Sequence, residues 1–335
     1  MKYLWRFVYL GYYFKKLNSE LLNKFIAYLK ATNGNSSLKI WISIFYNSIV
    51  YNISILEYFQ FRFFEKNSDE KKKWAGTGHM YEYQLKMNPK GARDILDDKR
   101  QFYHKYREFF VHKVSDLTSL NQNANLAQEM LNTPSNKLVF KVADGKCGAD
   151  VEIRSCNEFT AESLVKYLEE SSFDLVEEFI IQHPAIQSLS PSAVNTVRIF
   201  TQLNENNQVE ILGCRQRISI NSKVDNLAAG NMASPIDPNS GKINGVGVYS
   251  DITKSDEAQH PITKVELIGF QVPFWKETIE MVTKAALKHP QNRSIGWDIV
   301  ITEKGPGLIE GNHDWCKLLW QLPAKQGLKS LLKVS

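Results

Sequence analysis

The chain has little cysteine, and none of it is arranged for metal or disulfide chemistry. The 335 residues include four cysteines, no two of which form a CxxC pair. They lie inside or beside apolar runs, so we expect reduced thiols and a cytoplasmic setting. None of the seven histidines has the spacing of a zinc site. His112 and His289 are therefore expected to be ordinary surface or packing residues.

The chain also lacks a hydrophobic run of the kind that spans a membrane. Residues 40–56 carry no formal charge, but serine and asparagine interrupt them at roughly helical spacing. A buried or membrane-apposed helix fits this segment better than a spanning one. The basic N-terminal segment has no small-residue cleavage site, so a signal peptide is not expected. The expectation is a protein that is soluble or peripheral to a membrane.

Positive charge is concentrated at the N-terminus. Of a net charge of +5, residues 1–39 carry seven basic residues against Glu20 alone, together with many aromatic residues. A basic amphipathic helix that bears Trp and Phe is typical of a segment lying on an anionic membrane surface. A helix that packs its aromatic face on the protein and exposes its lysines would show the same pattern. The sequence leaves both interpretations open.

Three oxygen-bearing side chains flank a short apolar hairpin near the C-terminus. The pattern of residues 299–309 predicts two strands joined by a Lys-Gly-Pro-Gly turn at residues 304–307. Such a hairpin brings Asp298 to the same end of the sheet as Glu310 and Asn312. The last two are two residues apart, so they point to one side of a strand. Hard oxygen ligands of this kind suit Mg²⁺, although a surface hairpin with solvated acids would look alike.

A lysine and a glycine loop lie between two predicted strands. Residues 138–142 read as an apolar strand that contains Lys141, and residues 151–153 as the next strand. The loop between them holds Gly145 and Gly148, and glycine allows backbone N–H groups to approach phosphates closely. It is not a Walker loop, because no GxxxxGK[ST] motif or following helix is present. A lysine set into a strand favours an anionic partner, since an unpaired buried ammonium is costly.

The segment between these two regions predicts further elements. Residues 92–114 and 160–171 show helical apolar periodicity. Glu177 and Glu178 interrupt an apolar strand, which indicates either an edge strand with one acid exposed and one paired or a connector whose backbone reads an adenine edge.

Three arginines lie in or beside later strands. Arg198 stands among apolar neighbours, and Arg215 and Arg217 follow a strand. The latter pair indicates either an exposed edge or an anion-binding site.

From about Asp98 onward, these pieces in this order resemble the ATP-grasp superfamily. Within it, the chain is most similar to the branch found among polysaccharide-biosynthesis and sugar-transfer proteins, with teichuronopeptide-type and glutamate-ligase-like relatives. The residues that carry the resemblance are Asp98-Lys99, Lys141 with the 145–148 loop, and segments 176–180, 195–199, 225–230, 296–298 and 310–312.

The resemblance implies an α+β fold in which two α+β subdomains clamp ATP, preceded by a mostly helical region. The expected divisions are a basic, aromatic helical region at 1–90, a first ATP-grasp part with the phosphate flap at 91–180, and a second part with the Mg²⁺ site at 181–335.

The resemblance also implies a role for each matching position. Lys99 and Lys141 would hold the phosphates, with Gly145 and Gly148 in the loop that closes over them. The adenine hinge would consist of Glu177, Glu178, Phe179 and Ile180, and the ribose contact is expected from Gln182 or His183. One or two Mg²⁺ ions, with Mn²⁺ able to substitute, would bind Asp298, Glu310 and Asn312. The acyl phosphate would face Arg198, Arg217 and Asn226.

One segment departs from the family pattern. Many relatives have two adjacent glycines where this chain has Ala229-Gly230-Asn231. The backbone there is expected to be less free to approach a ligand.

The activity implied by the resemblance is an ATP-dependent carboxylate–amine ligase that works through an acyl phosphate. The expected substrates are ATP, an amino acid or another small carboxylate or amine, and a sugar or lipid-linked precursor of a bacterial capsular polysaccharide, exopolysaccharide or O-antigen. Contact with the inner membrane face is expected to accompany a lipid-linked acceptor, and no nucleic-acid partner is expected. Two alternatives remain, an ATP-grasp kinase and a non-catalytic nucleotide-binding scaffold.

Overall fold

The computed structural model of the chain describes residues 2–145 and 151–334, apart from the side chains of residues 2–5 and 124. The first part is helical and confirms the mostly helical N-terminal region. Its helices are α1 (Lys2–Lys15), α2 (Ser19–Asn33), α3 (Ser37–Tyr51), α4 (Ile55–Gln60), α5 (Ser68–Lys72), α6 (Thr77–Met87), α7 (Lys90–Asp97) and α8 (Lys99–Tyr106). Within the described residues, no helix combines the length and the apolar character needed to cross a membrane.

A four-stranded antiparallel sheet follows. Its strands are β1 (Val114–Asp116), β2 (Lys137–Lys141), β3 (Val151–Ser155) and β4 (Leu175–Glu178), and their order in the sheet is β1-β4-β2-β3. Its helices are α9 (Leu117–Gln122), α10 (Ala124–Leu131) and α11 (Ala161–Glu170). Leu138, Phe140 and Val176 form a core with residues of these helices.

The second sheet has five antiparallel strands. They are β5 (Val197–Leu203), β6 (Val209–Ile218), β7 (Met232–Ile236), β8 (Ser294–Thr302) and β9 (Gly305–Asn312), in the order β7-β6-β5-β8-β9. The remaining helices are α12 (Pro184–Leu189), α13 (Trp275–Lys288) and α14 (Lys317–Gln321). Val197, Ile199 and Trp297 share a buried core with Val282 and Ala285 of α13. The two sheets and their helices confirm the predicted α+β class.

The opposite face of the second sheet carries a polar row. The register pairs Arg198 with Asp298 and Asp298 with Glu310, so these three side chains stand side by side on one face. Phe200, two residues further along β5, lies on the same face and belongs to the core formed by the N-terminal helices, with Phe25 of α2 among its members. The helical region therefore packs beside the polar row.

The predicted single helix over residues 92–114 is wrong. The chain breaks at Asp98, whose side chain accepts hydrogen bonds from the backbone N–H groups of Arg100 and Gln101. This carboxylate caps α8 and ends α7, because an aspartate in the N-cap position satisfies the first free N–H groups of a new helix. Strand β1 then begins at Val114, inside the predicted helix.

The hairpin turn lies earlier than predicted. Thr302 pairs with Gly305, so the connection is only Glu303 and Lys304, and residues 305–307 already belong to β9. Gly305 adopts a φ of 114°, which favours glycine. A side chain at Gly307 would bring its Cβ within 2.4 Å of Val111 Cγ2, so a close approach of backbone explains the second glycine.

Candidate active site

Two arginines hold Asp298 at the centre of the polar row. Arg198 donates from Nε to Asp298 Oδ1 at 2.5 Å and from Nη2 to Oδ2 at 2.7 Å. Arg217 donates from Nη1 to the same Oδ2 at 3.0 Å. Burial alone would raise the pKa of Asp298, but the charges of Arg198 and Arg217 outweigh burial and hold the pKa well below its usual range. These contacts favour the ionised form of the buried Asp298 carboxylate.

Arg217 bridges Asp298 to a second acid. Its Nη2 lies 2.6 Å from Asp225 Oδ1 and also donates to Asn226 Oδ1. The other Asp225 oxygen accepts from the backbone N–H and the hydroxyl of Thr196 at 2.8 and 2.7 Å. Residues 215–218 belong to β6, and both Arg215 and Arg217 are buried, so the exposed-edge interpretation of these arginines is wrong.

Glu310 is the cross-strand neighbour of Asp298, and its pKa is shifted in the opposite direction. Burial first, and then the charge of Asp298, raise the pKa of Glu310. Asn312 donates from Nδ2 to Glu310 Oε1 at 3.1 Å. The predicted trio of Asp298, Glu310 and Asn312 is thus brought together by the register of β8 and β9.

The oxygen set fits Mg²⁺. The buried Asp298 and the half-buried Glu310 repel each other when both are ionised, and a divalent cation held by them would relieve that repulsion and match their preference for hard cations. The side-chain oxygens of Asp298, Glu310 and Asn312 are the atoms that could hold the ion. Among the residues that the structure describes, no cluster of three or more His, Cys, Asp or Glu side chains offers a competing metal site.

Lys141 forms an ion pair with Glu177 of the predicted hinge. Its Nζ lies 2.6 Å from Glu177 Oε2, and His112 Nε2 lies 3.4 Å from the same oxygen. Burial would raise the pKa of Glu177, yet the Lys141 charge and the His112 contact outweigh burial and lower the pKa to about 2. The edge-strand interpretation is wrong, because β4 lies between β1 and β2 and both Glu177 and Glu178 are buried.

His112 is a neighbour of Glu177 that sequence reasoning did not connect with the candidate site. It is buried, as the packing interpretation of this histidine allows, and its contact with Glu177 depends on the pairing of β1 with β4. Its sequence neighbours show no motif that could have indicated this position.

Lys99 lies between the two sheets. Its ammonium donates to the carbonyl oxygens of Val142 and Ala143 at 3.4 Å and to that of Gly145. Burial lowers the pKa of Lys99, and the charge of Glu310 acts in the opposite direction. The structure thus places Lys99 near both Gly145 and Glu310. Gly148 lies outside the described residues.

The rest of the predicted hinge is held by backbone contacts. Glu178 Oε2 accepts from the Lys113 backbone N–H at 3.1 Å, and the Phe179 N–H donates to Lys137 O at 3.1 Å. Ile180 follows as a half-buried residue.

Both candidates for the ribose contact already have structural partners. The Gln182 amide is buried and donates to the carbonyls of Ser190 and Ala193 at 3.1 and 3.0 Å. His183 Nδ1 accepts from the Ala185 N–H at 3.1 Å and so caps α12.

No curated protein matches the chain. Among solved structures, biotin carboxylase from Campylobacter jejuni is similar at 13% identity, with a TM-score of 0.44, over 72% of this chain and 46% of that one. The ATP-grasp ligase PsnB with a minimal precursor matches at 11% identity and a TM-score of 0.42, over 73% and 61%. D-alanyl-alanine synthetase A from Vibrio cholerae matches at 12% and 0.41, over 70% and 60%.

The chain spans between 43% and 61% of the length of these and similar solved structures. At these identities and TM-scores the likeness assigns no activity to it. A family model described as sugar-transfer associated ATP-grasp, by contrast, matches residues 79–334, which is most of the chain. The chain therefore belongs to the sugar-transfer associated ATP-grasp family.

Proposed function

We propose that the protein is an ATP-dependent carboxylate–amine ligase that joins an amino acid to a sugar in the synthesis of a bacterial surface polysaccharide. The observation that carries this proposal is the row formed by the buried Arg198 and Asp298 and the half-buried Glu310, with Arg217 also donating to Asp298. The charge of Lys99 interacts with that of Glu310 in this row and with those of Lys141 and Glu177. Arginines that would neutralise an anionic intermediate thus lie next to carboxylate oxygens that would hold a metal–nucleotide complex.

The chain's residues divide the reaction between binding and charge neutralisation. Lys99 and Lys141 bind the phosphates of ATP, and the backbone of Glu178, Phe179 and Ile180 reads the adenine edge. A carboxylate substrate attacks the γ-phosphorus, which gives ADP and an acyl phosphate. When bound, Mg²⁺ at Glu310 and Asn312 supplies positive charge to the transferring phosphoryl group.

The two arginines act on the acyl phosphate. Arg198 and Arg217 are fixed by Asp298 and Asp225, so their remaining N–H groups need no reorganisation to neutralise the developing charge. Asn226 contacts Arg217 and faces the same intermediate. Attack by the amine on the acyl carbon then forms the amide and releases inorganic phosphate.

The activity is tested by ATP turnover with amino acids crossed against uronic-acid and amino-sugar glycosides, read by mass spectrometry. A ligase yields an amide and free phosphate. A stable phosphorylated product would instead indicate a kinase, and ATP binding without turnover in any mixture would indicate a scaffold. Asp298→Asn and Lys141→Ala should each lower turnover by at least 100-fold, on the order of 3 kcal/mol of transition-state stabilisation.

A matched control makes this test specific. Arg62→Gln removes a partly exposed arginine that pairs with Glu65, far from the assigned residues in the sequence, and it should leave turnover unchanged. Full activity in either Asp298→Asn or Lys141→Ala would contradict the assigned site.

The acceptor in this proposal is lipid-linked, and the protein meets it at an anionic membrane surface. The support is a patch on α1 and α3, defined by Phe14, Leu38, Ile42 and Tyr46. The three α3 residues recur every fourth position and are 71%, 60% and 59% exposed. Phe14 of α1 lies beside them through a ring contact of 5.9 Å with Phe45. An exposed apolar stripe of this kind is the face that an interfacial helix buries in lipid.

Charge complementarity selects an anionic surface as the partner of this patch. Lys15 and Lys16 at the end of α1 and Lys39 near the start of α3 are exposed, and Glu20 is the only acidic residue before Glu57. Each lysine near an anionic membrane contributes about 1 kcal/mol of attraction, screened by salt.

Vesicle binding tests the membrane contact. The protein should bind vesicles of phosphatidylcholine with phosphatidylglycerol at low salt and not phosphatidylcholine alone. Replacing Lys15, Lys16 and Lys39 together by Gln should weaken binding roughly 100-fold, from three contributions of about 1 kcal/mol. Ile42→Ser with Leu38→Ser should weaken it as well. The matched control Ile262→Ser with Leu287→Ser removes exposed apolar residues elsewhere and should bind like the wild type; equal binding by all variants would contradict the contact.

A further inference from the structure

Three buried arginines project from the same face of the five-stranded sheet, and one of them differs from the other two. Arg198 and Arg217 both pair with carboxylates. Arg215 stands directly opposite Arg198 in the register and only two residues before Arg217. No carboxylate of the described residues lies within ion-pair distance of it.

Carbonyl oxygens hold the Arg215 guanidinium but do not balance its charge. Nε donates to Trp320 O at 3.1 Å, Nη2 donates to the same oxygen, and Nη1 donates to Cys214 O at 2.7 Å. An arginine has five N–H groups, so two of them have no recorded acceptor in the described part of the chain. The side chain is only 4% exposed. Burial lowers the pKa of Arg215 to about 10, as expected for a buried cation without a counter-charge.

A cavity of about 500 Å³ adjoins this guanidinium. Much of its wall consists of apolar residues, prolines and glycines. The lining contains two cations, Arg215 and Lys325, and Lys325 pairs with Asp256 at 2.7 Å. Arg215 is therefore the cation of this lining that has no carboxylate partner. Gly213 makes room for the guanidinium, because a Cβ there would lie 3.1 Å from Arg215 Nη1. The apolar part of the wall is formed by Leu212, Pro235, Ile236, Val246, Ile268 and Pro323.

We propose that this cavity is a binding site for a small carboxylate-bearing molecule whose apolar part lies against the proline-rich wall. An unpaired buried cation is costly, and a carboxylate accepting the two remaining Arg215 N–H groups removes that cost. A single available positive charge matches a monoanion better than a phosphate dianion. The apolar wall matches a hydrocarbon body in place of a sugar. The nucleotide cleft, which contains Lys99, Lys141 and Glu310, shares no residue with this lining.

A ligand-observed NMR titration of the full chain with isovalerate tests the site. Isovalerate should bind, while isovaleramide, which has the same shape without the charge, should bind at least tenfold more weakly. Saturating ADP should leave isovalerate binding unchanged. Competition by ADP, or equal affinity for the acid and its amide, would overturn the proposal, as would preferential binding of inorganic phosphate at this site.

Two variants and a control locate the binding. Arg215→Gln should weaken isovalerate binding at least tenfold and leave the weak isovaleramide affinity unchanged. Because a change at a buried arginine can impair folding, Ile268→Trp supplies an independent variant, since Ile268 is exposed and lines the cavity. It should block binding without altering the melting temperature. Arg62→Gln should bind like the wild type, and unchanged binding in a folded Ile268→Trp protein would contradict the assignment.

Discussion

Asp298 and Glu310 are neighbouring carboxylates that the protein makes chemically different. Arg198 and Arg217 keep the pKa of Asp298 low against the effect of burial, whereas burial and the charge of Asp298 raise the pKa of Glu310. Two carboxylates in distinct electrostatic surroundings divide a reaction into distinct roles. In the proposed reaction Asp298 would orient the arginines, and Mg²⁺ held by Glu310 would favour loss of the Glu310 proton.

The raised pKa of Glu310 predicts a pH-dependent effect of Mg²⁺ on stability. The folded protein retains the Glu310 proton to higher pH than the unfolded chain, so the free energy of unfolding falls as pH rises above 4.5 through the folded pKa. Mg²⁺ should restore it, by about 2.7 kcal/mol at 100 times its dissociation constant. Thermal unfolding between acidic and neutral pH, with and without Mg²⁺ and without nucleotide, measures this.

Two variants at the hairpin check the origin of that effect. Glu310→Gln should raise the melting temperature at neutral pH in the absence of metal and abolish the Mg²⁺-dependent increase. Glu303→Gln changes an exposed acid in the turn of the same hairpin and should respond to Mg²⁺ like the wild type. A Glu310→Gln protein that still gains the full increase would show that the ion binds elsewhere.

The ion pair of Lys141 with Glu177 joins strands β2 and β4. The two residues are far apart in the sequence, so only the structure could show that they meet. Val139 is the partner of Glu177, and Lys141 lies two residues along the same strand, on the same face. The third member, His112, precedes β1 on the other side of β4. Three short segments far apart in sequence thus create one buried charge cluster.

This cluster predicts stability that is lost only in strong acid. The folded pKa of Glu177 is about 2 against an ordinary 4.5, so its contribution is complete above pH 4.5 and lost as pH falls toward 2. Glu177→Gln leaves the Lys141 charge without its partner and should cost about 3 kcal/mol at neutral pH. Urea unfolding should show that this difference shrinks as pH falls from 4.5 toward 2.

The matched control for the hinge is Glu169→Gln, an exposed acid on α11. It should change the free energy of unfolding by less than about 0.5 kcal/mol, both at neutral pH and as the pH falls toward 2. A pH-independent loss in Glu177→Gln would mean that the side chain acts through packing and not through its charge.

Local periodicity predicted the elements whose conformation depends mainly on residues close to them in the sequence. Helix α11 with its Thr160 cap and the β8–β9 hairpin follow from neighbouring residues, and so does the convergence of Asp298 with Glu310. The sequence could not place β1, which has three residues and exists through pairing with β4 some 60 positions away. It likewise could not show whether Arg215 and Arg217 lie in a strand centre or on an edge, because that depends on β7.

At the scale of the whole molecule, the helical region and the five-stranded sheet form one body. Phe25 and Phe59 from the helices share a hydrophobic core with Phe200, Trp315 and Trp320. The charged run at residues 65–73 is followed at once by Trp74, which is buried in that core. The proposed division near residue 90 therefore separates regions of sequence that pack together.

A buried ion pair connects the same two parts and gives the last prediction. Lys317 Nζ of α14 lies 2.9 Å from Glu57 Oε1 of α4, and Glu57 also accepts from the Ser54 N–H at 2.7 Å and from Thr77. Burial would lower the pKa of Lys317, but the charge of Glu57 outweighs burial and raises it. Removing one partner leaves a buried charge uncompensated, so Lys317→Met and Glu57→Gln should each cost about 3 to 5 kcal/mol.

A double-mutant cycle distinguishes this pair from ordinary packing. The free energy of unfolding of Glu57→Gln/Lys317→Met should fall by clearly less than the sum of the single losses, because the second substitution removes the charge that the first left unpaired. Lys325→Met breaks the exposed pair with Asp256 and should cost less than about 1 kcal/mol. In the single variants, hydrogen exchange should show lost protection in α4 and α14 together, since the pair holds both helices in one cooperative unit. Additive losses, or lost protection in only one helix, would mean that the helical region is held to the sheet by its apolar core alone.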